Sequence, residues 1–133
     1  MSIAEDIPTL VVDDQPDIRM LIRVVIDRAN EGLRVVGEAR GGHEALELAD
    51  EVDPLVVVLD EMMPGMDGVA TAQQMRAKRP AQILILCSAY LDDDVIARAR
   101  AAGIVECVDK DDVGRLPEVI RSAVHAQLSD RRG

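Results

Sequence analysis

Short unbroken apolar runs alternate along this chain with stretches whose apolar residues recur at helical spacing. Residues 9–12 form the first run, and residues 13–17 break it, with Pro16 suited to the first turn of a helix. Ile18, Leu21, Ile22, Val25 and Ala29 then predict a helix that residues 30–32 end. Residues 34–39 predict a second strand, Gly41 and Gly42 a turn. Ala45, Leu46, Ala49 and Val52 mark a second helix, stopped at Asp53-Pro54. Residues 55–59 are five consecutive apolar residues, three of them valine. A strand with one wet face would alternate, so this one is expected to be covered on both faces, as in a parallel sheet.

The pattern repeats to the end of the chain. Residues 60–68 read as a loop, and residues 69–79 as a weaker helix ended by Pro80. Residues 83–87 are a further unbroken run, followed by an alanine-rich helix over 92–102 closed by Gly103. Residues 105–108 predict the last strand. Leu116, Ile120, Ala123 and Val124 mark a final helix, and 129–133 read as a polar tail. Five strands alternating with five helices predict an α/β fold, a doubly wound parallel sheet. Residues 1–133 read as one domain, with its core over roughly 8–128.

Composition narrows the function. The net charge is -10, which opposes binding to nucleic acid or an anionic membrane and suits metal ions and basic protein surfaces. No apolar run is long enough to span a bilayer. Residues 1–6 carry two acids and no basic region, so no signal peptide is expected and the chain reads as cytoplasmic. Cys87 and Cys107 lie within apolar runs and lack zinc-ligand spacing, so reduced core thiols are expected.

In a doubly wound sheet, ligands gather beyond the carboxyl ends of the strands. Asp13 and Asp14 follow the first strand, Asp60 the third, Ser88 the fourth and Lys110 the fifth. Any one of these acids is explained by a helix start or a turn. Their coincidence at successive strand ends is not. Clustered carboxylates resist ionising without a cation. Mg²⁺, with Mn²⁺ as an alternative, prefers such oxygen ligands. Dinucleotide-binding sheets place a glycine-rich phosphate loop after the first strand, whereas here Asp13, Asp14 and Asp17 would repel a phosphate unless a metal intervened.

With VVDDQPDIR, VVVLDEMMPGMDG, Ser88-Ala89 and Lys110 in view, the chain resembles the receiver domain of bacterial two-component response regulators over nearly its whole length. The resemblance implies a flavodoxin-like sheet in the order 2-1-3-4-5. It implies that Asp60 accepts a phosphoryl group from a sensor histidine kinase or a phosphotransfer protein. Asp14 and Asp60 would ligate Mg²⁺ directly, Asp13 through water, and Met62 through its backbone carbonyl. Lys110 and Ser88 would engage phosphoryl oxygens, and the small Ala89 would leave room for them. Such a domain catalyses only its own phosphorylation and dephosphorylation. Its output is a protein–protein contact, made with a second copy, with an output domain beyond these residues or with a separate target.

Three positions depart from the family pattern. Cys107 replaces the usual aromatic residue three before the lysine, which weakens the ring-based half of the switch. Tyr90, the sole aromatic residue, can either limit water access near the phosphate or sit in a surface loop. Asp111 replaces a proline whose preceding bond is usually cis, so a trans Lys110–Asp111 bond and a different route into the last helix are expected.

Two other classes compete with this reading. An aspartate-nucleophile phosphatase of the haloacid dehalogenase kind wants a second aspartate where Met62 stands. A phosphorylation-independent pseudo-receiver is the alternative, and it rests on Cys107. Asp92, Asp93 and Asp94 read as a helix cap, His43 and His125 as solvated, and Met62, Met63 and Met66 as loop and core packing.

Overall fold

A computed structural model describes residues 6–132. The expectation of no signal peptide at the extreme N-terminus falls outside these residues, apart from Asp6. The elements run β1 (Ile7–Val12), α1 (Pro16–Ala29), β2 (Leu33–Ala39), α2 (Gly42–Val52), β3 (Val56–Leu59) and α3 (Gly68–Lys78). They continue with β4 (Ile83–Ser88), α4 (Asp93–Ala101), β5 (Glu106–Asp109), a 3₁₀ segment (Lys110–Arg115) and α5 (Leu116–Arg132). All strands pair in parallel in the order β2-β1-β3-β4-β5.

The unbroken apolar runs have the predicted physical cause. β3 is buried along its whole length, and its residues alternate between two cores. Val57 and Leu59 pack with Leu84, Leu86, Met75 and Val95 under α2, α3 and α4. Val56 and Val58 pack with Ile83, Ile85, Ile22, Ile26 and Ile120 under α1 and α5. A strand that feeds both layers has no face for polar residues.

Several boundaries differ from the sequence reading. β1 begins at Ile7, which is buried in the core. Gly42 opens α2 instead of closing a turn. β5 starts one residue later than expected. Residues 129–132, expected as a polar tail, continue α5 to Arg132, because a helix anchored by Leu116, Ile120 and Val124 can run on past its last apolar residues. The predicted cap of α4 is present: Asp92 accepts a hydrogen bond from the Val95 backbone N–H at 2.8 Å. The 3₁₀ segment gave no sequence signal. The described residues contain no cis peptide bond, so Lys110–Asp111 is trans as expected. Asp109 caps the segment by accepting from the Asp111 N–H at 2.8 Å.

Candidate functional site

The sheet register assembles the site. Val12 pairs with Leu59, and Leu59 with Leu86, so the residues that follow these strands emerge side by side. Asp13 and Asp60 are almost fully buried, as is Ser88. Lys110 reaches back from the end of β5. Its Nζ lies 3.0 Å from Asp60 Oδ2 and 3.1 Å from Asp13 Oδ2. Asp13 Oδ1 accepts from the Gln15 N–H at 2.9 Å, and Asp60 Oδ1 from the Met62 N–H at 3.3 Å. The Tyr90 N–H donates to Ser88 Oγ at 3.3 Å.

Carboxylate oxygens of Asp13, Asp14 and Asp60 lie within 4.8 Å of one another. This all-oxygen set suits a hard divalent cation, and three acids around a single lysine leave an excess of negative charge for it to neutralise. Beside it lies a cleft of ≈ 290 Å³ lined by Asp14, Gln15, Asp60, Met62, Ala89, Tyr90 and Lys110. The structure thus brings Asp13, Asp14, Asp60 and Lys110 together, while Ser88 is fully buried at the end of β4 and does not line the cleft. Tyr90 is 65% exposed and borders the cleft.

Burial sets the electrostatics. Desolvation pushes Asp13 above the usual carboxylate range, against the Gln15 N–H and Lys110, which pull it down. Desolvation by itself would lower Lys110, but its hydrogen bonds to Asp60 and Asp13 prevail and hold it above its ordinary value. Burial pushes the Cys87 thiol up to about 12, so this cysteine is an inert core residue. Cys107 is half-buried, and desolvation raises it too.

Three contributors escaped the sequence reading. Glu61 is 4% exposed, and its Oε1 accepts from the Val69 N–H at 2.9 Å. Its Oε2 faces Arg98 Nη1 of α4 at 3.7 Å. Arg19 of α1 donates to the Asp13 carbonyl oxygen at 2.8 Å and is braced by Glu38. Gly68 packs so closely under the Asp60 backbone that a Cβ there would lie 2.3 Å from the Asp60 carbonyl oxygen. The only advance signal was an acidic residue directly after Asp60.

A pH dependence follows. Asp13 and Glu61 are both raised, chiefly by desolvation, from ordinary values of 3.8 and 4.5. A raised carboxyl contributes stability that is present below its unfolded pKa and lost as pH rises through its folded pKa. Metal-free protein is therefore expected to lose stability as pH climbs from about 4 through these two raised values. A divalent cation that binds only the folded site should reverse the trend, adding about 2.7 kcal/mol at a hundredfold excess over its Kd. Thermal melts with EDTA or Mg²⁺ at pH 4.5 and 7.5 check this. A Mg²⁺ effect no larger at pH 7.5 than at 4.5 would remove the acids from the account.

The model of the response regulator receiver domain matches residues 9–121. The chain belongs to the response regulator receiver domain family, a signalling module of two-component systems. It is 36% identical over 101 residues to the chemotaxis protein CheY of Listeria monocytogenes, covering 76% of this chain and 83% of that protein. It is 39% identical over 111 residues to a protein-glutamate methylesterase/protein-glutamine glutaminase of Myxococcus xanthus, covering 83% of this chain and 32% of that protein. The first curated relatives are thus longer proteins, of which the chain spans 32–44%. Among solved structures, the REC domain of AraT from Geobacillus stearothermophilus superposes with a TM-score of 0.81 at 31% identity, over 94% of this chain and 98% of that one. The response regulator domain of Thermotoga maritima CheB gives 0.81 at 29%, over 90% and 97%. No described helix is long and apolar enough to cross a membrane.

Proposed function

We propose that this domain accepts a phosphoryl group on Asp60 and uses it to control a protein–protein contact. The observation that carries the reading is the Asp13–Lys110–Asp60 bridge, with Asp14, Asp60 and Lys110 lining the adjoining cleft. An Asp60 carboxylate oxygen attacks phosphorus, and the bond to the donor's imidazole nitrogen breaks, that nitrogen keeping the electron pair. Lys110 orients Asp60 and stands ready to hold a phosphoryl oxygen. Ser88 supplies a hydroxyl once its loop moves toward the cleft, and Ala89 leaves space there. Such transfer depends mainly on positioning and charge neutralisation. Asp14 and Asp60, with Asp13 through water and the Met62 carbonyl, would hold Mg²⁺, whose charge would offset the carboxylates and the phosphoryl oxygens. The phosphoryl donor would be a sensor histidine kinase or a phosphotransfer protein. The controlled partner would be a second copy of the chain, an output domain or a separate target, with coupling in the ordinary range of about 1–3 kcal/mol.

The test is intact-mass analysis after incubation with Mg²⁺ and acetyl phosphate. Wild type should gain one phosphoryl group, and Asp60→Asn none. Equal labelling of both would overturn the assignment of Asp60. No labelling of wild type would favour the pseudo-receiver, which Cys107 alone supports.

A further inference from the structure

Glu61 is a buried carboxylate directly after Asp60, and the phosphoacceptor role proposed above does not use it. A charge this buried needs compensation, and losing a partner from such a group is costly. Its carboxylate is shared between two helices. Oε1 holds the Val69 N–H at the start of α3, and Oε2 faces the Arg98 guanidinium of α4. The Glu61 carbonyl oxygen also accepts from the Gly68 N–H at 3.0 Å. The acidic neighbours whose charge reaches the carboxylate are Asp60 and Asp67. Arg98 is the cation that answers them, and it also pairs with Asp94 Oδ2 at 3.0 Å. Asp94 is largely solvated, so that second pair contributes little.

We infer that Glu61 is a positioning residue through which α4 registers the charge carried at Asp60, with Arg98 as the connecting arm. The inference rests on the receiver reading above. Phosphorylation adds close to two negative charges one residue from Glu61. Like charge makes the desolvated Glu61 carboxylate depend more heavily on Arg98. At 3.7 Å the guanidinium has room to close on Oε2, and α4 moves with it. This route bypasses β5, where Cys107 offers no ring to transmit a change from Ser88. A purely structural Glu61 would need only the Val69 contact, in which Arg98 takes no part.

The experiment is amide chemical-shift mapping of the full chain with Mg²⁺ and beryllofluoride. It compares wild type with Arg98→Ala, Arg98→Lys and Asp94→Ala. Alanine preserves helix propensity, so α4 should stay folded in both alanine variants. In wild type the α4 amides should shift together with those of Ser88 to Leu91. In Arg98→Ala the Ser88–Leu91 response should persist, while the shifted α4 population falls about fivefold or more, the lower end of ordinary couplings. Arg98→Lys should restore much of it, and Asp94→Ala should keep it. Equal α4 responses in wild type and Arg98→Ala would sink the inference, as would a loss in Asp94→Ala as large as in Arg98→Ala. Acetyl phosphate labelling of each protein separates the two levels. An unlabelled wild type defeats the receiver reading itself. A labelled wild type whose α4 ignores Arg98 defeats only the role of Glu61.

Discussion

Replacing Lys110 by alanine is expected to destabilise the metal-free fold by about 3 kcal/mol and to cut Asp60 labelling by about two orders of magnitude. Lys110 Nζ sits between Asp60 and Asp13, whose side chains are 3% and 2% exposed. Without it, two carboxylates stay buried beside each other. Removing one partner of a buried pair costs more than the pair itself contributes, because the remaining charge keeps its desolvation penalty. The loss is a large share of an ordinary domain's stability of about 5–15 kcal/mol, so the variant should still fold. Urea melts in EDTA measure the effect. Lys110→Met, which keeps most of the apolar stem, should be destabilised almost as much, because the charge and not the packing is what matters. Mg²⁺ should return part of the stability to both variants, since a cation again offsets the acids. Labelling should stay low, because the donor aimed at the phosphoryl oxygen is gone. If Lys110→Ala melts like wild type in EDTA, the bridge contributes nothing and the electrostatic account of the site is wrong.

Gly68→Ala sets two principles against each other. Gly68 is the first residue of α3, and helix propensity alone would make alanine stabilising by up to about 1 kcal/mol. Packing predicts the opposite. The added Cβ would lie 2.3 Å from the Asp60 carbonyl oxygen and 2.9 Å from both the Asp60 carbonyl carbon and the Glu61 Cα. All three are backbone atoms, so no rotamer change relieves the clash. Overpacking of this kind costs about 1–3 kcal/mol. We expect a net loss of about 2 kcal/mol in urea melts, large amide shifts at residues 60–63, and weakened Mg²⁺ binding, because the displaced backbone carries Asp60. Gly42→Ala is the comparison. There the Cβ would meet side-chain atoms instead, Thr71 Oγ1 at 2.3 Å and Met66 Sδ at 2.9 Å, although Thr71 is fully buried and its hydroxyl donates to the Asp67 carbonyl oxygen at 2.8 Å. This substitution should also cost stability, but it should leave the amides at residues 60–63 and Mg²⁺ binding unchanged, because none of the atoms it meets belongs to the Asp60 backbone. A neutral or stabilising Gly68→Ala would mean that the loop after β3 adjusts freely and that Gly68 does not position Asp60.

The two departures from the family pattern that bear on switching lead to different physical readings. Cys107 pairs with Leu86 in register and packs against the core under α3 and α4, so its position in the sheet is ordinary and only its size is small. Asp111 is accommodated by the 3₁₀ segment, in which Asp109 supplies a cap. Lys110 opens that segment directly after β5, whose pairing with β4 brings it beside Asp60.

The chain's own order of residues determined the alternation of strands and helices, and with it the layered fold. Unbroken apolar runs such as 55–59 and 83–87 have no polar face to expose, and helical spacing elsewhere has nowhere to pack except against them. It also determined the candidates for the site. Asp13, Asp14, Asp60, Ser88 and Lys110 each follow a recognisable strand, and a parallel sheet gathers strand ends at one edge. What only the tertiary structure decided is which of these residues touch, and what else enters. Lys110 is 50 residues from Asp60 in the chain, yet it bridges Asp60 and Asp13 at hydrogen-bond distance. Glu61 and Gly68 fall within residues 60–68, read only as a loop, and Arg98 within 92–102, read only as an alanine-rich helix. Periodicity reports whether a residue faces the core or solvent, and it does so because burial of apolar area is a local, repeating demand. A buried charge, its distant counter-ion and a missing Cβ satisfy demands made once each, by neighbours that become neighbours only when the sheet closes.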